Sequence, residues 1–239
     1  MKYGTVRFWL SLIAVMVAGG NAFTQTGPLI DTGLLDGIRV VEDPEGQVNV
    51  RSGASLESSV QRKLASGSVI SVSEREGDWF VVFDGRENGA SEFIHASRLK
   101  EVSGWAQMGV KDNQGILKHR GFEARVTSSP FIAQDHETVK LADGLYEVDG
   151  AVPWGTDGGL PNQSLALSVT VNGAEVVIPE EATEGLYEPN FETMVLLTPG
   201  DPAGQAILFM LNSDGAGAYG VFWAFAKGRY LSRTVIPLS

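Results

Sequence analysis

The residues 212–220, NSDGAGAYG, place Gly215, Gly217 and Gly220 at the spacing G-x-G-x-x-G, which in another setting cradles a dinucleotide phosphate. That chemistry needs a helix directly afterwards, whose N-terminus faces the pyrophosphate. Here Val221-Phe222-Trp223-Ala224-Phe225 follows, a strand-forming aromatic run closed by Lys227-Gly228, so the loop is expected to bind no nucleotide. No Lys-Ser or Lys-Thr pair follows the glycines either, which removes a P-loop. Asn212 and Asp214 offer two hard oxygens for calcium, but Asp214 is the sole acidic residue between Gln205 and Tyr230, too few for an EF-hand-like loop. An Asx-type turn, with a carboxylate bonded to backbone amides, is the expected role. No cofactor and no metal are assigned.

A second constellation joins this turn to PWGTDGGLP at 153–161. Asp157 and Asp214, with Trp154, Tyr219 and Trp223 nearby in sequence, have the residue types of a glycosidase pair flanked by sugar platforms. Trp154, Asp157, Asp214 and Tyr219 are therefore kept as a second candidate site, with glycan hydrolysis as its lesser reading and no catalytic residue assigned. His95, His119 and His136 are the only imidazoles; none lies in H-E-x-x-H, and no G-x-S-x-G elbow is present. The expectation is that the chain is not an enzyme.

The elements that carry these residues are strands. Eight Asp-Gly or Asn-Gly pairs, beginning at Asp36, Asp84, Asn88, Asp143, Asp149, Asp157, Asn172 and Asp214, punctuate short alternating or β-branched runs. Such pairs take the positive φ angles of tight hairpins. Val169-Thr170-Val171, Asn-Gly, then Ala174 to Ile178 reads as one hairpin. Helices are expected to be few and short, with Glu180 to Tyr187 the best candidate because it follows Pro179 and is rich in Glu and Ala.

The chain opens MKYGTVRFWLSLIAVMVAGGNAF, a basic head of Lys2 and Arg7 before a short apolar run and small residues at Ala18, Gly20 and Ala22. This reads as a secretory signal peptide over residues 1–22, cleaved after Ala22, with an uncleaved anchor as the alternative. Cleavage removes two basic residues and no acidic one, so the formal net charge of −11 becomes more negative still. No Lys/Arg cluster follows, which argues against nucleic acid and anionic lipid as partners. With no cysteine, the fold has no disulfide or thiolate metal site and stands on its hydrophobic core. A periplasmic or secreted protein without a stable membrane anchor is expected.

Residues 47–56, QVNVRSGASL, begin the most recognisable pattern, followed by LASGSVISVSEREGDWFVVF and EFIHASRL. Val48 and Val50 alternate with Asn49 and Arg51, then Ser52-Gly53 turns the chain. Over residues 37–102 this resembles the bacterial SH3-like domain, a small barrel of five or six strands. Glu92 stands where that family usually has glycine before the aromatic of its last segment. The resemblance implies non-covalent binding of peptidoglycan, its stem peptides or another envelope protein, with Asn49, Arg51, Trp79, Phe93 and His95 as ligand-binding residues. An aromatic floor would stack on the ligand while Arg51 meets a carboxylate, although Trp79 equally suits a core plug. Residues 103–115 read as a linker and 116–239 as a C-terminal β domain, similar in its paired glycine turns to exported bacterial proteins without an assigned activity. The fold expected is all-β: an N-terminal SH3-like barrel followed by a β-sandwich-like domain with few short helices. The rival function is a periplasmic interaction or inhibitor protein of the immunity type, its acidic surface steering a basic partner protein.

Overall fold

The computed structural model describes residues 37–83, 91–105, 108–111, 113–199, 205–213 and 215–238. The leader 1–22, the turns at Asp36, Asp84 and Asn88, and Asp214 lie outside the described residues. What is described is all-β, and its only helical turns are three-residue 3₁₀ segments. The helix expected over Glu180 to Tyr187 is one of these, Glu180–Ala182. It stops because Gly185 turns the chain with φ +72°, and Leu186 and Tyr187 then enter isolated bridges with Trp154 and Ser164.

The N-terminal barrel contains β1 (Ile38–Val41), β2 (Gln47–Arg51), β3 (Val60–Ala65), β4 (Val69–Glu76), β5 (Trp79–Phe83), β6 (Glu92–His95) and β7 (Leu99–Trp105). Its strands run in the order β7-β1-β4-β5-β6-β2-β3. Strand alternation sends Val48 and Val50 of β2 inward, where Val48 meets Val41, Ile70, Val72 and Ile94, backed by Phe80 and Val82.

Residues 103–115 are not a linker. They hold the end of β7, all of β8 (Met108–Lys111) and the start of β9 (Gln114–His119). β7 itself continues the barrel into the C-terminal region by pairing with β15 (Val195–Pro199), Leu196 opposite Trp105 and Thr198 opposite Ser103. Beyond β15 the same sheet adds β16 (Gln205–Asn212), β17 (Tyr219–Ala226) and β18 (Arg229–Pro237), making eleven strands in all.

A second sheet of five strands runs β14-β13-β10-β9-β8, with β10 (Phe122–Pro130), β13 (Gln163–Val171) and β14 (Ala174–Val176). A short pair, β11 (Thr138–Lys140) and β12 (Tyr146–Val148), stands apart. The expected hairpin at Asn172-Gly173 joins β13 to β14, with φ of +51° and +80° at the two turn residues.

The β15–β17 portion is covered on both sides, which explains why YGVFWAFA is apolar throughout rather than alternating. Tyr219, Val221, Trp223 and Phe225 of β17 pack with Leu117, Ala124, Val126 and Val169 of the five-stranded sheet. Phe222 and Ala224 face the other way and join Phe209, Ile38, Val40 and Val69, a seam shared with the barrel. The sandwich expected for the C-terminal region thus carries the barrel as a further layer.

Candidate functional site

The register gathers all five residues of the barrel site on one face. Arg51 lies opposite Phe93, Trp79 opposite His95, and Val81 opposite Phe93. Directly opposed residues of antiparallel strands project from the same side, and Asn49 shares the side of Arg51 two residues on. Val50, Ile94 and Phe80 occupy the opposite, core-facing side. The face is therefore the outer surface of β5-β6-β2, and Trp79 is not the core plug of the barrel.

Within that face the residues differ in access. Trp79 and Phe93 are each 8% exposed, so they form a floor rather than open platforms. Asn49, Arg51 and His95 are half-buried and present their polar ends. The Arg51 Nη1 donates to the carbonyl of Ser58 at 2.7 Å, which ties it to the loop 52–59. The rest of its guanidinium fork has no hydrogen-bond partner among the described residues, so it is available to a carboxylate. His95 packs against the edge of Trp79, ring centroids 5.1 Å apart and nearly perpendicular. Its Nδ1 accepts from the Ser97 N–H at 3.2 Å and so caps the 3₁₀ turn Ala96–Arg98. The loop 52–59 carries Leu56, 74% exposed, beside this face in sequence.

Glu92 has a partner that sequence reasoning missed. The Nε and Nη2 of Arg62 both donate to its Oε2, at 2.8 and 2.6 Å, an ion pair that reaches from β3 across β2 to β6. Two charged residues thirty apart in sequence gave no local signal of this.

The second candidate site divides. Asp157 Oδ1 accepts from the Gly217 N–H at 2.8 Å, and Gly155 N–H donates to Gly217 O at 3.2 Å, so the two glycine turns meet. A Cβ on Gly217 would lie 2.1 Å from the backbone oxygen of Thr156, and one on Gly215 would lie 2.2 Å from Asp157 Oδ2. The glycines that mimic a phosphate loop are there for close approach of one turn to the other. Trp154 is 36% exposed, with its ring 6.0 Å from that of Tyr219. Tyr219 is fully buried, donates its hydroxyl to Tyr187 O at 2.9 Å, and burial pushes its pKa far up. It serves the core, not a ligand. Asp214 lies outside the described residues, so only Asp157 of the proposed carboxylate pair has a defined place.

Asn212, weighed in the sequence as a calcium oxygen, is wholly buried, and its Oδ1 accepts from the Asn190 N–H at 3.0 Å. The remaining histidines are occupied locally. His136 Nδ1 lies 2.7 Å from Asp149 Oδ2, and the ring stacks on Phe131 at 4.7 Å. That bond, with a second from the Glu137 N–H, holds the Asp149 carboxyl below its usual pKa. Burial and the neighbouring Arg120 lower the pKa of His119. Among the described residues no group of three or more His, Asp or Glu is placed to hold a metal ion, and no helix is long and apolar enough to cross a membrane.

Comparison with curated proteins and with solved structures yields no match to this chain. Residues 46–107 match the family model of the bacterial SH3 domain. That stretch contains β2 to β7 and all five residues of the outer face, whereas the region that follows it matches no family. The chain therefore carries a bacterial SH3 domain at residues 46–107.

Proposed function

We propose that this protein binds peptidoglycan or its peptides non-covalently in the bacterial envelope, using the outer face of β5-β6-β2. The observation that supports this most is the gathering of Asn49, Arg51 and His95 over the buried Trp79–Phe93 floor, within a domain whose family commonly binds the cell wall. A stem peptide ends in a carboxylate and carries small alanyl side chains. The free side of the Arg51 guanidinium suits the first, and the shallow floor between Asn49 and His95 suits the second. The reading is of a non-covalent binder.

Co-sedimentation of the purified chain with isolated sacculi tests it. Binding is expected, and Arg51→Ala is expected to weaken it by about tenfold, the usual loss for one charge-assisted hydrogen bond. Phe93→Ala is a poorer probe because Phe93 is buried and its loss perturbs the barrel. Absence of co-sedimentation, or binding indifferent to Arg51→Ala in a correctly folded variant, would overturn the proposal. Recovery of a basic protein that high salt releases would replace it with the acidic-partner reading.

A further inference from the structure

Between the turn at residues 155–163 and the segment 188–192 lies an open cleft of about 750 Å³ that the wall-binding reading does not use. It is lined by three acidic residues, Asp157, Glu188 and Glu192, by the amide residues Asn162, Gln163 and Asn190, and by Phe191. Among the described residues no Lys, Arg or His lines it, so phosphate- or carboxylate-bearing ligands are disfavoured. Two of the three carboxylates are already held on one oxygen: Asp157 Oδ1 by the Gly217 N–H, and Glu188 Oε1 by the N–H groups of Asn162 and Gln163. Their other oxygens have no partner among the described residues and can accept from hydroxyls. Asn190 is oriented as well, since its Oδ1 accepts from the Glu192 N–H and its NH₂ is left to donate.

The backbone of the cleft is set. Glu188 and Ser213 both adopt positive φ, +52° and +61°, although neither is glycine, and the Ser213 N–H donates to Glu188 O at 3.1 Å. Conformations that L residues adopt only at a cost, joined to each other on a cleft wall, are the kind of strain that persists where a site must be rigid.

We infer that this cleft binds a neutral oligosaccharide. Hydroxyl groups need both acceptors and donors, and the cleft brings carboxylate and side-chain amide residues together beside the half-buried Phe191, an apolar neighbour for the C–H face of a sugar. A cationic peptide is the competing fit, since Glu192 adds a third carboxylate, but backbone N–H groups offset part of the charge of Asp157 and Glu188. The site is separate from the SH3 face and stands or falls independently of it.

The test uses the full chain against an array of neutral oligosaccharides with different linkages, followed by titration calorimetry of any that bind, with trilysine as the competing probe. Expected are binding of a neutral oligosaccharide that salt leaves unchanged, a loss of about tenfold in Asn162→Ala or Gln163→Ala, and no change in Arg51→Ala. The Asn162 side chain is exposed and its bond to Glu188 comes from its backbone, so Asn162→Ala keeps the fold; circular dichroism checks this. Failure of every neutral oligosaccharide to bind overturns the inference. So does salt-sensitive binding of trilysine alone, which would make this a basic-peptide site. A loss caused by Arg51→Ala and not by Asn162→Ala overturns it too, by moving the sugar to the SH3 face.

Discussion

Substituting Phe209 by alanine should destabilise the SH3 domain although Phe209 lies more than a hundred residues beyond its end. Phe209 is 1% exposed on β16 and stacks on Phe222 with ring centroids 4.4 Å apart. The same apolar seam contains Ile38, Val40 and Val69 of the barrel. The seam is reinforced by the β7–β15 ladder, by Thr234 Oγ1 donating to Val69 O at 2.9 Å and by Gln205 Nε2 donating to Gly67 O at 3.1 Å. Removing a buried Phe side chain costs about 3–5 kcal/mol through lost transfer energy and the cavity left behind. Against a total stability of roughly 5–15 kcal/mol this is a large fraction. For a protein of this size it corresponds to a fall in Tm of roughly 8–16 °C at the middle of that range. Calorimetry of the full chain should show one transition, and Phe209→Ala should move all of it; Trp79 fluorescence, in a variant lacking the other tryptophans, should follow the same curve. The exposed control Val177→Ala, at a residue 86% exposed, should change little. Two separable transitions, or an Ala variant whose barrel signal melts as before, would refute the argument that the barrel and the β15–β18 sheet share one core.

Three further outcomes follow from single contacts. Asp157→Ala removes the acceptor of the Gly217 N–H and should cost about 1 kcal/mol in urea unfolding, whereas Asp157→Asn keeps an acceptor oxygen and should cost less; equal losses would show that charge and not the hydrogen bond matters. Asp149 has its folded pKa lowered, first by the His136 side chain and then by the Glu137 N–H. Its stabilisation is thus complete above the ordinary carboxylate pKa and lost as pH falls through the lowered folded value. Tm measured down that acidic window should converge for wild type and Asp149→Asn, and parallel curves would contradict the assignment. Tyr219 should not ionise with the exposed tyrosines in an alkaline absorbance titration, since burial holds its phenol neutral; its contribution should appear only with unfolding, and a Tyr219→Phe variant should lack that late step.

The parts of this protein legible in its sequence are those set by neighbours along the chain. Alternation in QVNVR and the Asn172-Gly173 turn each depend on a few consecutive residues, and both are where the pattern puts them. Another hairpin, at Arg120-Gly121, escaped notice as a turn because only its glycine carries the signal; Arg120 adopts a φ of +45° without the Asn or Asp that usually marks the first position. What could not be read was pairing at long range. Residues 103–115 look like a linker because Gly104, Gly109, Asn113 and Gly115 interrupt the apolar runs, and only the partner β15, ninety residues on, turns β7 into the junction of barrel and sandwich. The same applies to the site residues. Asn49, Arg51, Phe93 and His95 can be listed from motif alone, but whether they are reachable depends on which side of β6 faces the core, and the register makes Phe93 a covered floor and Arg51 a half-buried donor above it. NSDGAGAYG shows the limit most sharply: its glycine spacing is a local fact with a misleading local meaning, and its cause is the turn around Asp157, whose carboxylate accepts from Gly217 across 60 residues of sequence. A spacing motif reports chemistry only when its glycines are required by the ligand; here they are required by another part of the chain.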